Sequence, residues 1–179
     1  KITVEQLYHI IRKPGTEIET KIRMLKAVKS IDKKKYDILK RDLPYFVCGI
    51  FNPPFRKTEN FGWINRFILD IDNLTEKGMN VNSLKNKLST DSRIEMIFVS
   101  PGGDGLKLMF CLSEKCYDHG KFSVFYKVFV RSFSGLYGIE QVIDPRTSDV
   151  TRACFLSYDP EVYYNKVPEP VNMSTFVDF

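Results

Sequence analysis

Within the run Phe67-Ile68-Leu69-Asp70-Ile71-Asp72, two carboxylates stand two residues apart in an otherwise apolar segment. Side chains alternate along a strand, so Phe67, Leu69 and Ile71 face one way while Ile68, Asp70 and Asp72 face the other. The two acids are then roughly 7 Å apart along one face. Like charges held close resist joint ionisation, and a cation between them removes the conflict. Hard divalent ions such as Mg²⁺ or Mn²⁺ take carboxylate oxygens as ligands. The plain alternative is a strand that ends in a polar turn, because Asp72-Asn73 is good turn chemistry.

A second chemical segment is Ser100-Pro101-Gly102-Gly103-Asp104-Gly105-Leu106-Lys107. An apolar run leads into it and another follows, which predicts a hairpin whose glycine-rich tip can offer backbone N–H groups to phosphate oxygens. Lys107 adds a point charge. The spacing is not that of a Walker loop, and a strand rather than a helix follows. Alternation places Lys107, Met109 and Cys111 on one face, with Leu106, Leu108, Phe110 and Leu112 behind. The bland alternative is an ordinary glycine-rich hairpin. A third segment runs from Asp144 to Arg152 and on into Cys154-Phe155-Leu156-Ser157-Tyr158-Asp159-Pro160. Asp144 can complete a three-carboxylate metal site, and Arg152 can grip a phosphate with its planar fork. Internal salt bridges in a loop would use the same residues.

Cys111, Cys116 and His119 are spaced poorly for zinc, which usually takes four ligands in tighter pairs, and no second pair follows. The four cysteines are too sparse for a disulfide scaffold. An intracellular, cytoplasmic protein is expected. No apolar run reaches the ~18 residues of a membrane span, so no membrane partner is expected.

The elements that must position these residues follow from periodicity. Thr3-Val4-Glu5-Gln6 forms a capping box that starts a helix running to Arg12, and Pro14-Gly15 interrupts it. Ile18, Ile22, Leu25, Val28 and Ile31 recur at a helical period. Asp32 caps a third helix carrying Tyr36 and Leu39, which ends before Pro44. Strands are predicted over residues 45–51, 64–72, 94–100, 106–112 and 153–158, and a short helix over 82–88. Asp118 caps a long helix with Phe122, Phe125, Val128, Phe129 and Phe133 on its apolar side, stopping near Gly135. A short apolar stretch, 141–143, leads into Asp144. Helices followed by mixed strands and helices make the fold α+β, with a basic helical part over 1–44 packed on a mixed or antiparallel sheet over 45–179.

The 179 residues, 43% hydrophobic and 27% charged, suit one globular domain and exclude a disordered or collagen-like chain. The chain opens on Lys1 and stops at Phe179 without a polar tail, so it reads as a domain of a longer protein. Net charge is +5, a mild bias towards anionic partners. Lys33, Lys34, Lys35 and Lys40 concentrate that charge in the third helix, either as a solvated face or as a surface that tracks a phosphate backbone.

Taken in order, the segments resemble the catalytic signature of the archaeo-eukaryotic primase (primase-polymerase) superfamily, in which a strand-borne Asp-x-Asp precedes a glycine-rich strand pair and a third acid. The closer likeness is to its VirE-type N-terminal domain branch. Tyr-x-x-Leu-Lys-x-x-Leu-Pro is matched by residues 36–44, Ser-Pro-x-Gly-x-Gly-Leu-Lys by 100–107, and the Asp, Ser-Asp, Arg and Cys-Phe-x-Ser-Tyr-Asp-Pro series by 144–160. CRISPR-associated primase-polymerases carry cores of this kind. Many members of the wider superfamily have a histidine in the second motif; this sequence has Lys107, and it lacks the primase zinc element.

The resemblance implies an RRM-like catalytic half and template-dependent nucleotidyl transfer, initiating or extending DNA strands. Asp70, Asp72 and Asp144 would be the catalytic acids and would hold two Mg²⁺ or Mn²⁺ ions. Ser100, Gly103, Gly105, Lys107 and Arg152 would bind the dNTP or NTP. Lys33, Lys34, Lys35 and Lys40 would hold single-stranded or primed DNA. CRISPR adaptation proteins are partners by the same analogy. A strand-binding module of a replication or mobile-element protein, without catalysis, is the alternative reading. A metal-dependent nuclease would use the same acids but leaves the glycine-rich turn and Lys107 without a role.

Overall fold

The structure, a computed structural model, describes residues 1–144 and 147–179; Pro145 and Arg146, inside the third predicted motif, lie outside the described residues. Three helices open the chain: α1 (Val4–Arg12), α2 (Thr16–Val28) and α3 (Lys33–Arg41). The predicted capping box forms: the Gln6 N–H donates to Thr3 Oγ1 at 3.1 Å and the Thr3 N–H to Gln6 Oε1 at 2.8 Å. The Asp32 carboxylate likewise accepts from the Lys35 N–H at 3.0 Å. That cap requires extended backbone at Asp32, which ends α2 early and turns Ile31 outwards to 82% exposure. Ile31 is therefore not on the buried side of α2 as its spacing predicts.

Among the described residues seven strands follow: β1 (Tyr45–Phe46), β2 (Ile50–Phe51), β3 (Phe61–Ile71), β4 (Ile94–Val99), β5 (Leu106–Cys116), β6 (Cys154–Phe155) and β7 (Tyr163–Tyr164). Between them lie α4 (Val81–Leu88) and the long α5 (His119–Tyr137). The main sheet has the order β2-β3-β5-β4-β7, and its named pairings are all antiparallel. The predicted strand over 45–51 is two strands in two sheets. β1 pairs with β6, β2 pairs with β3, and at Gly49 between them a Cβ would come within 2.9 Å of the Val150 carbonyl. The predicted strand over 153–158 shrinks to β6 because its partner β1 has only two residues.

Ile143 bridges Ile71 in antiparallel fashion. The spatial series is thus the bridged residue Ile143, β3, β5, β4, and the chain order of these parts is strand, helix, strand, strand, helix, single-residue bridge. Leu84 and Leu88 of α4 join Phe125, Phe129 and Phe133 of α5 in the core on one face of the sheet. Phe67 stacks on Phe110 at 5.2 Å and meets Phe129 edge-on at 5.1 Å. Aromatic pairs of this kind add about 0.5–1.5 kcal/mol beyond area burial. Gly138 at φ +64° ends α5, three residues beyond the predicted stop at Gly135.

The opposite face carries a second, smaller core in which Leu7 and Ile11 of α1 pack on Met96, Phe98 and Met109. α2 and α3 pack around Ile22, Leu25 and Leu43. The alternation predicted for β3 holds: Phe67, Leu69 and Ile71 enter the α5 core, whereas Ile68 packs against the smaller one. Asp70 and Asp72 therefore lie on the face away from α4 and α5.

Candidate functional site

Two pieces of backbone bring the acids together. The Asp144 N–H donates to the Asp70 carbonyl at 3.3 Å, and the Asp72 N–H to the Val142 carbonyl at 2.8 Å. In this antiparallel register Asp144 stands opposite Asp70, and opposed residues share a face. Behind them, the Tyr126 hydroxyl of α5 donates to the Ile68 carbonyl at 3.0 Å. It also lies 2.5 Å from Thr147 Oγ1, which is 3.2 Å from the Asp144 carbonyl. α5 thereby ties the third acid's segment to β3.

Opposite charge comes from three other elements. β5 pairs Lys107 with Asp70 in register, and Lys107 Nζ lies 2.6 Å from Asp70 Oδ1 with both residues buried. Arg152 Nη2 lies 3.5 Å from Asp144 Oδ2. α3 turns Tyr36 and Lys40, four residues apart and hence on one side of the helix, towards the same acids. Lys40 Nζ sits 5.8 Å from the Tyr36 ring centre.

The electrostatics follow from this crowding. Burial raises the Asp72 carboxyl above its ordinary range, Lys107 opposes the rise, and Asp70 and Asp144 add to it. Burial works against the Lys107 charge, but the Asp70 and Asp72 carboxylates outweigh it and the ammonium binds its proton more tightly than an ordinary lysine. Burial, then the Lys107 charge, lower the Lys40 ammonium, while Asp72 and Asp70 oppose that. Burial pushes the Cys154 thiol up to about 12, so it stands there as a neutral group.

Lys33, Lys34 and Lys35 are exposed on the first turn of α3, whereas Lys40 is half-buried near the acids. The lysines grouped together in sequence therefore occupy two environments. The glycine-rich turn is covered rather than open. A Cβ on Gly102 would lie 2.5 Å from the Tyr36 hydroxyl, and the Lys26 stem passes 3.5 Å from where one on Gly103 would be. The Gly103 N–H is spent on the Ser100 carbonyl at 2.9 Å. Gly105 abuts the end of β3: a Cβ there would overlap the Ile71 carbonyl and sit 3.2 Å from Asp72 Oδ1. Asp104 fastens the turn through Lys29 at 3.3 Å and the Thr75 N–H at 2.7 Å.

Three carboxylates on one face are hard oxygen donors of the kind that Mg²⁺ or Mn²⁺ takes. Among the described residues, no group of three or more Asp, Glu, His or Cys side chains stands ready to hold an ion. Lys107 and Arg152 each engage one of these acids instead. The donor set fits a divalent ion by type and by shared face, with the two basic side chains as its competitors. Sequence reasoning missed Tyr36 as a neighbour of this site and placed Lys40 elsewhere; their i, i+4 spacing was the available signal. It also gave no role to Tyr126 and Thr147, whose contacts depend on how α5 docks.

Fold and site together define an α+β domain whose sheet face away from α4 and α5 gathers three acids and three cations. The BT4734-like, N-terminal domain family matches residues 38–164, and the chain belongs to that family. The matched stretch includes Lys40, Asp70, Asp72, Lys107, Asp144 and Arg152 and excludes Lys33, Lys34 and Lys35. No curated protein and no solved structure matches the chain. Among the described residues no helix is long and apolar enough to cross a membrane.

Proposed function

We propose that this domain is a template-dependent nucleotidyltransferase with a primase-polymerase core, acting in the cytoplasm. The observation that carries the reading is the convergence of Asp70, Asp72 and Asp144 on one sheet face, opposed by Lys107, Lys40 and Arg152. The β3-α4-β4-β5-α5 order, followed by the Ile143 bridge back to β3, supports the RRM-like catalytic half, with the acids on the face away from both helices.

Asp70, Asp72 and Asp144 would hold two Mg²⁺ or Mn²⁺ ions. Bound there, such ions lower the pKa of an attacking 3′-hydroxyl and neutralise charge on a triphosphate. Lys107 and Arg152, released from their acids, bind the triphosphate of a dNTP or NTP. Ser100, Gly103 and Gly105 shape the wall of that pocket by holding the turn against β3. Lys33, Lys34 and Lys35 track the phosphates of a single-stranded or primed DNA template. No protein nucleophile takes part; the chain contributes positioning and electrostatics. A role beside CRISPR adaptation proteins rests on the resemblance alone.

The Lys107–Asp70 and Arg152–Asp144 pairs favour a second reading, in which Asp70 and Asp144 are permanently neutralised and the domain binds single strands without catalysis. Incubation with a primed template, dNTPs and Mn²⁺ separates the two. Extension by the wild type, lost in Asp70→Ala/Asp72→Ala with an unchanged circular dichroism spectrum, is the expected result. Binding without extension selects the second reading, and shortening of the primer selects a nuclease.

A further inference from the structure

Helix α3 divides its lysines. Lys33, Lys34 and Lys35 face solvent, while in the last turn Lys40 shares a side with Tyr36 and lies in the field of Asp72 and Asp70. The anchor for that side is Tyr36, whose hydroxyl packs so closely on Gly102 that a Cβ would come within 2.5 Å. Lys29 and Asp104, 3.3 Å apart, hold the same turn to the end of α2. The Lys40 ammonium is thus carried by a docked helix and not by a free surface segment.

The three cations of the cluster are not equivalent. Lys107 is bonded to Asp70, and Arg152 is paired with Asp144. The Lys40 ammonium has no ion pair and no hydrogen bond among the described residues; its neighbours are the Tyr36 ring and the field of Asp72, Asp70 and Lys107. No buried side-chain nitrogen or oxygen among the described residues lacks a hydrogen-bond partner, so the Lys40 ammonium keeps access to solvent. A half-buried cation at the rim of a charged cluster, open on one side, suits an anion arriving from solution. A compact ammonium meets a phosphate oxygen as a point charge without demanding planar geometry.

Resting on the function proposed above, we propose that Lys40 is a substrate-contacting residue that binds a phosphate oxygen of the incoming nucleoside triphosphate, beside Lys107 and Arg152. Helix α3 then does two jobs: its first turn faces the nucleic-acid strand and its last turn faces the nucleotide. The charge balance agrees. Three acids against three cations leave the cluster near neutral, and divalent ions on the acids leave all three cations facing an anion.

The test uses the full chain as wild type, Lys40→Met, Lys40→Arg and Lys33→Met/Lys34→Met. Calorimetry measures binding of dATP and of inorganic tripolyphosphate, each with and without Mn²⁺. Anisotropy of a labelled single-stranded oligonucleotide reports strand binding, and thermal melting reports the fold. Lys40→Met is expected to weaken dATP and tripolyphosphate binding by about tenfold or more. It should leave oligonucleotide affinity unchanged, with part of the nucleotide affinity recovered in Lys40→Arg. Lys33→Met/Lys34→Met should show the reverse pattern. Wild-type-like dATP binding by Lys40→Met, or loss of oligonucleotide binding in its place, overturns this assignment and leaves the proposed function standing. If the wild type binds neither dATP nor tripolyphosphate with or without Mn²⁺, the proposed function falls and Lys40's role with it.

Discussion

Lys107 and Asp70 face each other across the β3–β5 register, and Lys107 Nζ lies 2.6 Å from Asp70 Oδ1. The pair occupies a buried stretch of sheet, where removing one partner of an ion pair costs about 3–5 kcal/mol because the other charge is left unpaired. Lys107→Met should therefore lower Tm in EDTA. If the acids bind a divalent ion, Lys107 is its competitor, so Mn²⁺ should raise the Tm of Lys107→Met more than that of the wild type. Nucleotide use should fall at the same time. A melt of Lys107→Met that is indifferent to Mn²⁺ argues against metal at these acids.

Asp72 predicts a pH dependence with a definite sign. Burial, reinforced by Asp70 and Asp144 and opposed by Lys107, raises its carboxyl pKa in the folded chain. A raised folded-state pKa gives stability that is present below the unfolded value and lost as pH rises through the folded one. Ionised Asp72 is thus a destabilising group at neutral pH. Asp72→Asn should melt higher than the wild type at pH 7, with the gap closing below pH about 4. Extension activity should be lost in the same variant, and an equal or lower Tm at neutral pH would contradict the electrostatic account.

The exposed lysines make a salt-dependent prediction. Contacts to phosphates release counterions, and each contact steepens the fall of log affinity with log salt by about 0.7 for single strands. Replacing Lys33, Lys34 and Lys35 by Glu should flatten that slope in a single-strand binding titration. An unchanged slope returns these residues to an ordinary solvated face.

Lys85 and Asp159 form a second buried pair, remote from the acids in sequence, with Nζ 2.7 Å from Asp159 Oδ2. The same Asp159 oxygen accepts from the Val99 N–H at 2.9 Å, and the Asp159 N–H donates to the Ile11 carbonyl at 3.0 Å. One side chain thus joins α4, β4 and the segment after β6, and its backbone reaches α1. Asp159→Ala should cost about 3–5 kcal/mol in urea unfolding, by leaving Lys85 buried and unpaired. The double replacement Lys85→Met/Asp159→Leu should recover much of that loss, and a cost below about 1 kcal/mol would mean that water reaches the pair.

Much of the site was legible in the chain because strand chemistry is local. Alternation alone puts Asp70 on one face of β3, with Asp72 next on that side just past its end, and Lys107 on one face of β5; the β3–β5 pairing then made those faces the same one. The capping box at Thr3 and the Asp32 and Asp118 caps were readable for the same reason, since each bond spans at most three residues. The glycines show the limit. Their types marked a turn, but not that Gly102 lies under Tyr36 or that Gly105 abuts Ile71 and Asp72.

What the sequence determined by itself is which side chains share a face, because that depends only on backbone period and on bonds between near neighbours. Only the tertiary structure decided which faces meet. It joined Asp144 to Asp70 through an edge pairing, split residues 45–51 between two sheets, and separated Lys40 from Lys33, Lys34 and Lys35 by docking one side of α3. Those outcomes depend on contacts between residues distant in the chain, each chosen by how whole surfaces pack, and no local spacing encodes them.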